Sequence, residues 1–127
     1  MIVLDASAAV AALLRNGSAR EVAAREQLHA PHLIDAEVAQ TLRRLVASGR
    51  LPVPTGQHLL TQWSALALAR HPGQPLLPRI WALRENVSAY DATYVALAET
   101  LGCAVLTADA RLARAPGVTC PVTVVSS

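Results

Sequence analysis

Short apolar runs alternate with longer helix-favouring segments along this 127-residue chain. The runs are Ile2–Leu4, His32–Ile34, Cys103–Leu106 and Val122–Val125, the last preceded by Gly117–Thr119. A strand that is apolar along its whole length is buried on both faces, which is typical of a parallel sheet covered by helices on both sides. The pattern therefore predicts an α/β fold, a three-layer α/β/α sandwich with a central, mostly parallel sheet.

Helices are predicted between these runs from apolar residues at helical spacing and from residues that favour helix ends. Ser18 and Glu21 form a capping box, and residues 71–75, with two prolines and a glycine, are expected to form a loop. The predicted helices are Ala6–Leu14, Arg20–His29, one from Asp35 to the stop at Ser48, one from a cap at Thr55 to Arg70, Leu76–Arg84, one opened by Ser88 and ended by Gly102, and Ala110–Arg114.

Composition favours one folded unit. Hydrophobic residues make up 53% of the chain and charged residues 16%, which excludes disorder and predicts a well-filled core. No repeat or linker interrupts the pattern, so we expect a single domain over residues 1–127. The uncharged stretch Leu51–Ala69 contains prolines and polar residues that a lipid-facing helix could not bury, so no membrane span is predicted. Because no export signal is visible, we expect a cytoplasmic location.

Residue usage also excludes several kinds of chemistry. All eleven basic residues are arginine, so mechanisms that need a lysine, such as a P-loop, a Schiff base or a receiver-type phosphotransfer site, are excluded or disfavoured. Two cysteines, Cys103 and Cys120, are too few for a disulfide framework and lack metal-binding spacing. We expect free, buried thiols, with a Cys103–Cys120 bridge as the alternative.

Four of the nine acidic residues stand where a surface charge is not expected. Asp5 directly follows the first apolar run, and Asp109 follows the run Cys103–Leu106 after two residues, so both lie just beyond strand carboxyl ends, where open α/β sheets bind ligands. Asp91 shares the inward helix face with Tyr94, and Glu37 lies at the border of the apolar stripe of its helix.

Each of these acids also has a purely structural interpretation as a helix cap, turn or first-turn residue. Their joint placement favours a site, because four converging carboxylates repel one another and lose hydration unless a cation neutralises them. Mg²⁺ or Mn²⁺ fits best, since hard cations prefer carboxylate and water oxygens.

The rest of the molecule is basic. Without the four acids, eleven arginines face five acidic residues. A carboxylate-held metal surrounded by arginine suits a phosphodiester substrate, because the metal activates water and arginine binds phosphate through paired hydrogen bonds. The unranked candidates for this contact are Arg15, Arg43, Arg44, Arg79, Arg111 and Arg114.

Four sequence blocks contain the four acids. They begin at Met1, Pro31, Tyr90 and Leu106 and read MIVLDASA, PHLIDAEV, YDATYVALA and LTAD. These blocks resemble the signature blocks of PIN-domain ribonucleases, and most closely those of VapC-type toxins of bacterial toxin–antitoxin pairs. They occur in the family's order and spacing between Met1 and about Arg114. Each block is weakly specific by itself, and the four together are specific.

The resemblance implies a Mg²⁺- or Mn²⁺-dependent endoribonuclease with Asp5, Glu37, Asp91 and Asp109 as its metal-binding and catalytic acids. Asp5 and Asp91 are the expected direct ligands, Glu37 orients or deprotonates water, and Asp109 acts through water or a second cation. The resemblance also implies a homodimer and a VapB-type antitoxin that covers the active site.

The same resemblance assigns supporting roles to three polar residues. Ser7 and Thr107 match small hydroxyl positions beside the first and last acids, where they are expected to hydrogen-bond the ligands. Gln40 stands three residues after Glu37, where the family often has asparagine, and its longer side chain leaves that supporting role open.

Two questions remain open at the level of sequence. The rival interpretation of the whole chain is a non-catalytic PIN-like module that binds RNA or protein, although such a module need not keep four acids. The apolar residues of the fourth predicted helix form either ordinary core or a surface for the antitoxin or a second subunit. They are Leu59, Leu60, Trp63, Leu66 and Leu68. The four scattered histidines receive no role.

Overall fold

The computed structural model describes residues 1–127, and strands from both ends of the chain join one five-stranded sheet. The strands are β1 (Ile2–Leu4), β2 (Leu28–Pro31), β3 (Ala69–His71), β4 (Ala104–Thr107) and β5 (Val122–Val124). Their order is β3-β2-β1-β4-β5, and every neighbouring pair is parallel. The predicted parallel α/β sandwich is confirmed.

Seven α-helices cover the sheet. They are α1 (Ala6–Leu14), α2 (Ser18–Arg25), α3 (Leu33–Ala47), α4 (Val53–Ala65), α5 (Leu77–Ala82), α6 (Ala89–Leu101) and α7 (Ala110–Ala113). Helices α1 to α4 pack mainly on one another, whereas α6 lies against β1, β2 and β4 with α5 beside it. The largest buried cluster lies between these layers and includes nearly all of α6 from Ala92 to Ala98.

Helix caps place the loops at the carboxyl edge of the sheet. Helix α1 begins directly after β1 because Asp5 caps it, accepting a hydrogen bond from the Ala8 amide at 2.9 Å. Helix α6 begins at the predicted cap, Ser88, and ends at Gly102. Gly102 has φ of +69°, a left-handed conformation that glycine adopts at little cost.

The second strand lies earlier in the chain than predicted. Residues Leu28–Pro31 form β2, whereas His32–Ile34, the predicted strand, belongs to the start of α3. Ile34 is buried with Val38 and Leu42, one helical turn apart each time, so it begins the buried stripe of α3. Helix α2 accordingly ends at Arg25, before the predicted His29.

The edge strand β3 was not predicted. Helix α4 runs from Val53 to Ala65, without a side-chain cap, and Ala69–His71 then pairs with β2. The predicted cap at Thr55 and the helical extension to Arg70 are wrong. Ala-Arg-His has no strand-forming pattern, so this strand depends on pairing with β2 and on contacts made by Arg70.

Smaller differences lie in the second half of the chain. Gln74–Leu76 forms a single 3₁₀ turn before α5, where a loop and a longer helix were predicted. Gly117–Thr119 lies outside β5. Cys103 and Cys120 are free thiols and half-buried, so the bridge is absent. No helix combines the length and apolar character needed to cross a bilayer.

Candidate active site

One pocket of about 600 Å³ lies at the carboxyl edge of the sheet and is lined by all four predicted acids. Asp5 is at the start of α1, Glu37 in α3, Asp91 in the first turn of α6, and Asp109 at the start of α7. We call this site the acidic pocket. Four elements distant in sequence meet there because the carboxyl ends of parallel strands share one edge.

Asp5 is the most buried acid of the pocket, with 6% of its surface exposed. The Ser7 hydroxyl donates to Asp5 Oδ1 at 2.7 Å, alongside the Ala8 amide. Ser7 Oγ also contacts Thr107 Oγ1 at 3.2 Å and accepts from the Ala108 amide. Burial, and to a lesser degree the charge of Asp91, raises the pKa of Asp5 above its ordinary value.

Glu37 is held from across the pocket by Tyr94. The Tyr94 hydroxyl donates to Glu37 Oε1 at 2.6 Å. Burial first, and then the charges of Asp91 and Asp5, raise the pKa of Glu37, while the Tyr94 hydrogen bond acts in the opposite direction. Glu37 therefore shares one electrostatic environment with two other acids of the pocket.

Asp91 is half-buried, and its backbone amide donates to the cap residue Ser88 at 3.1 Å. The capping interpretation of this position is therefore correct for the backbone. The carboxylate lines the acidic pocket as well, and burial together with the charge of Asp109 raises its pKa. A local structural role and a place in the pocket coexist at this residue.

Asp109 differs from the other three because it has an arginine partner. It caps α7, and the Arg111 guanidinium donates to both of its oxygens, at 3.1 and 3.0 Å. This hydrogen bonding holds the pKa of Asp109 below its ordinary value. The Arg111 side chain is 85% exposed, so solvent weakens the pair and a competing cation can displace it at small cost.

The pocket has the donor set of a hard divalent cation. It is lined by four carboxylates and by no cysteine or histidine, which suits Mg²⁺ or Mn²⁺. No three acidic, histidine or cysteine side chains are gathered closely enough to hold one ion together. Arg111 holds both oxygens of Asp109, so binding one ion through Asp5, Asp91 and Asp109 requires this exposed pair to open.

Of the three predicted supporting residues, the structure brings two to the acids. Ser7 contacts Asp5 directly, and Thr107 reaches Asp5 through Ser7 and also accepts from the Asp109 amide at 3.0 Å. Gln40 does not contact the acids, because its side-chain oxygen accepts from Arg43 at 2.9 Å. Gln40 is also absent from the lining of the acidic pocket.

Three of the six candidate arginines line the pocket, namely Arg15, Arg44 and Arg111. Arg43 donates a hydrogen bond to Gln40, and Arg79 donates two hydrogen bonds to Glu99. The pocket therefore combines clustered acids with a basic rim, which is the charge pattern expected for a metal-dependent site that binds phosphate.

Sequence reasoning missed several side-chain partners. The sequence indicates only an inward helix face for Tyr94 and the start of a helix for Asp35. Asp35 instead accepts two hydrogen bonds from Arg70 and one from the Trp63 indole. His29 Nδ1 and His71 Nε2 lie 2.9 Å apart on neighbouring strands. No local sequence signal announces these contacts, since each joins residues at least 28 positions apart.

The apolar residues in and just after α4 divide between core and surface. Leu59 and Trp63 are core residues, whereas Leu60 and Leu66 are more than a third exposed. Trp63 and Leu66 line a mostly apolar groove of about 510 Å³ together with residues of α1 and α2.

An α/β sandwich with an acid-lined pocket at its carboxyl edge defines the class of protein. The chain matches the PIN domain over residues 2–118 and belongs to that family. It is 54% identical over 125 residues to ribonuclease VapC9 of Mycobacterium tuberculosis, covering 98% of both chains. Ribonuclease VapC1 of the same organism is 41% identical, over 97% of this chain and 96% of its own. Within the PIN family, the chain thus groups with the VapC ribonucleases.

A solved structure shows the same fold at low sequence identity. The crystal structure of Mycobacterium tuberculosis VapC20, a Sarcin-Ricin loop cleaving toxin, matches with a TM-score of 0.70 and 17% identity. The match covers 94% of this chain and 97% of that chain. The family membership confirms the resemblance found in the four sequence blocks.

Proposed function

We propose that this protein is a divalent-metal-dependent endoribonuclease toxin that hydrolyses RNA phosphodiester bonds at the acidic pocket. The observation that carries the proposal is the meeting of four carboxylates from four separate elements, three of them with raised pKa values. Such a cluster costs stability at neutral pH unless a cation enters it. We assign that cation as Mg²⁺ or Mn²⁺.

Asp5 and Asp91 are the proposed main ligands. Neither carboxylate is paired with an arginine, and Asp5 is fixed by Ser7 and the Ala8 amide. Asp109 contributes after its exposed pair with Arg111 opens. Glu37 orients a water molecule and accepts its proton. When bound, the metal lowers the pKa of water and neutralises charge developing on the phosphate.

Arg15, Arg44 and Arg111 are the proposed contacts for the RNA backbone. They line the rim of the pocket, and guanidinium groups bind phosphate oxygens through paired, charge-assisted hydrogen bonds. Because phosphate contacts carry no base information, these arginines set the register of the RNA strand and not its sequence.

The proposed partners follow from the relatives. VapC ribonucleases pair with VapB antitoxins, so we propose a VapB-type antitoxin that covers the acidic pocket and blocks RNA access. We further propose a homodimer that acts in the cytoplasm, where its RNA substrate is found. The exposed part of the apolar α4 surface, with Leu60 and Leu66, is available for one of these contacts.

The test is cleavage of total bacterial RNA by the purified, antitoxin-free protein. We expect discrete fragments with Mg²⁺ or Mn²⁺ and none with EDTA. The Asp91→Asn variant should cut at least about a hundredfold more slowly, because several kcal/mol of metal-dependent stabilisation is lost. The matched control is Asp35→Asn, which makes the same change outside the pocket and should cut at nearly the wild-type rate.

Two results would contradict the proposal. Folded wild-type protein that cuts no RNA with either metal favours the non-catalytic binding module. Cleavage that survives both EDTA and Asp91→Asn points to a contaminating nuclease or to another site.

A further inference from the structure

Tyr94 is the one buried aromatic hydroxyl that reaches the acidic pocket. It lies in the middle of α6, with 2% of its surface exposed, and its ring belongs to the core. Its hydroxyl also lines the pocket and donates to Glu37 Oε1 at 2.6 Å. A short hydrogen bond from a neutral hydroxyl to an ionised carboxylate is stronger than a hydrogen bond between two neutral groups.

Glu37 has no other donor to fix its carboxylate. Its Oε2 accepts no hydrogen bond from the protein, and no salt bridge involves it. Gln40, the neighbour expected to support it, is occupied by Arg43. A glutamate side chain has several rotatable bonds, so without a partner its carboxylate samples many positions.

We propose that Tyr94 is the positioning residue for Glu37. The inference rests on the proposed function and adds to it one residue outside the acid set. Tyr94 occupies Oε1 and leaves Oε2 as the oxygen that can orient water and accept its proton. It supports the carboxylate from across the pocket, which is the role that the family resemblance left open for Gln40.

The position of Tyr94 explains why it acts through Glu37 and not on RNA. Its ring is packed in the core, and its exposed surface is too small to contact a nucleotide. Because α6 also carries Asp91, one helix fixes both an expected metal ligand and the orientation of Glu37. Small displacements of a reacting group are costly, up to roughly a hundredfold for 1 Å.

The experiment compares Tyr94→Phe with a matched control, Thr93→Val. Both changes remove one buried hydroxyl from α6, but the Thr93 hydroxyl bonds only to the Ala89 carbonyl within the helix. For Tyr94→Phe we expect kcat to fall between about tenfold and a hundredfold, with KM for RNA within about twofold of wild type. Thr93→Val should keep the wild-type kcat.

Two further measurements separate positioning from a structural role. Mn²⁺ affinity measured by calorimetry should stay within about twofold of wild type in Tyr94→Phe, because the ligands Asp5 and Asp91 are untouched. In a Glu37→Gln background, Tyr94→Phe should reduce kcat by less than about twofold, since two residues acting as one unit are not additive.

The inference is overturned if Tyr94→Phe cuts RNA like wild type, if it loses Mn²⁺ binding or the fold together with activity, or if its effect persists undiminished beside Glu37→Gln. These outcomes all require an active wild type. A wild type that cuts no RNA instead defeats the proposed function, and this inference with it.

Discussion

The acidic pocket and the cluster formed by Asp35, Trp63 and Arg70, here called the Asp35 cluster, use carboxylates to opposite effect. In the cluster, Arg70 donates to both Asp35 oxygens at 2.7 and 2.9 Å, and this hydrogen bonding holds the pKa of Asp35 below its ordinary value. In the pocket, Asp5 accepts no hydrogen bond from an arginine, and burial raises its pKa. The presence or absence of an arginine partner therefore decides whether the pKa of the carboxylate is lowered or raised.

Glu99 repeats the pattern of the Asp35 cluster. It binds Arg79 and Thr119 and thereby joins α6 to α5 and to the segment before β5, with a lowered pKa. Asp109 is intermediate, since it lines the pocket but has Arg111 as its partner. Acids that the fold pairs with an arginine have a lowered pKa and stay ionised at little cost to stability. Acids left without an arginine lower the stability of the fold and create a site that an external cation can fill.

The largest expected effect that tests this comparison is stabilisation by metal. At about a hundred times its dissociation constant, Mg²⁺ or Mn²⁺ should stabilise the fold by about 2.7 kcal/mol, which raises Tm by several degrees. Differential scanning fluorimetry at pH 7.5 measures the shift. The metal-induced rise in Tm should be smaller in Asp91→Asn and unchanged in Asp35→Asn.

The same measurement has a defined pH dependence. Burial first, and repulsion between the acids second, raise the pKa values of Asp5, Glu37 and Asp91, so the cost of these charges is small in acid and develops as pH rises through the folded-state values. The shift in Tm caused by metal should therefore be largest at pH 7.5 and clearly smaller at pH 4. A shift of equal size at both values would contradict an origin in these carboxylates.

The next effect is destabilisation of the Asp35 cluster. Asp35→Ala should lower the free energy of unfolding by about 1–3 kcal/mol, because it leaves the indole N–H of the buried Trp63 without an acceptor. The ion pair itself adds little, since both side chains are partly exposed. Urea unfolding measures the change.

Asp35→Asn separates the two contributions to that cluster. The asparagine retains an acceptor for Trp63 and loses the charge, so it should destabilise less than Asp35→Ala. If Asp35→Ala and Asp35→Asn lose the same free energy of unfolding, the stabilisation comes from the ion pair with Arg70 and not from the acceptor for Trp63. RNA cleavage by either variant should remain close to wild type, since Asp35 does not line the acidic pocket.

The smallest expected effect is a gain in stability inside the pocket. Asp5→Asn should raise the free energy of unfolding by on the order of 1 kcal/mol in the absence of metal, while abolishing cleavage. Asparagine caps a helix about as well as aspartate, so α1 keeps its start and only the buried charge is removed. Urea unfolding in EDTA measures the gain, and a loss of stability there would contradict the assigned cost of the charge.

Much of the fold was readable from local patterns. Helix α1 was predicted with its observed bounds, and α6 with its cap at Ser88 and its end at Gly102. Capping, helical spacing and glycine conformation act over a few residues, so the sequence reports them directly. The strands β2 and β3 were misplaced or missed because pairing with distant segments, and not their own composition, makes them strands.

The sequence by itself determined which acids belong together, because it placed Asp5 and Asp109 after strands and Asp91 on an inward helix face. Only the tertiary structure decided the partner of each acid, giving Tyr94 to Glu37 across 57 positions and Arg70 to Asp35 across 35. The physical reason is the distance along the sequence over which each interaction acts. A helix or cap is specified by residues a turn apart, whereas a hydrogen bond between two helices, and the pKa it sets, depends on how the whole sheet brings those helices together.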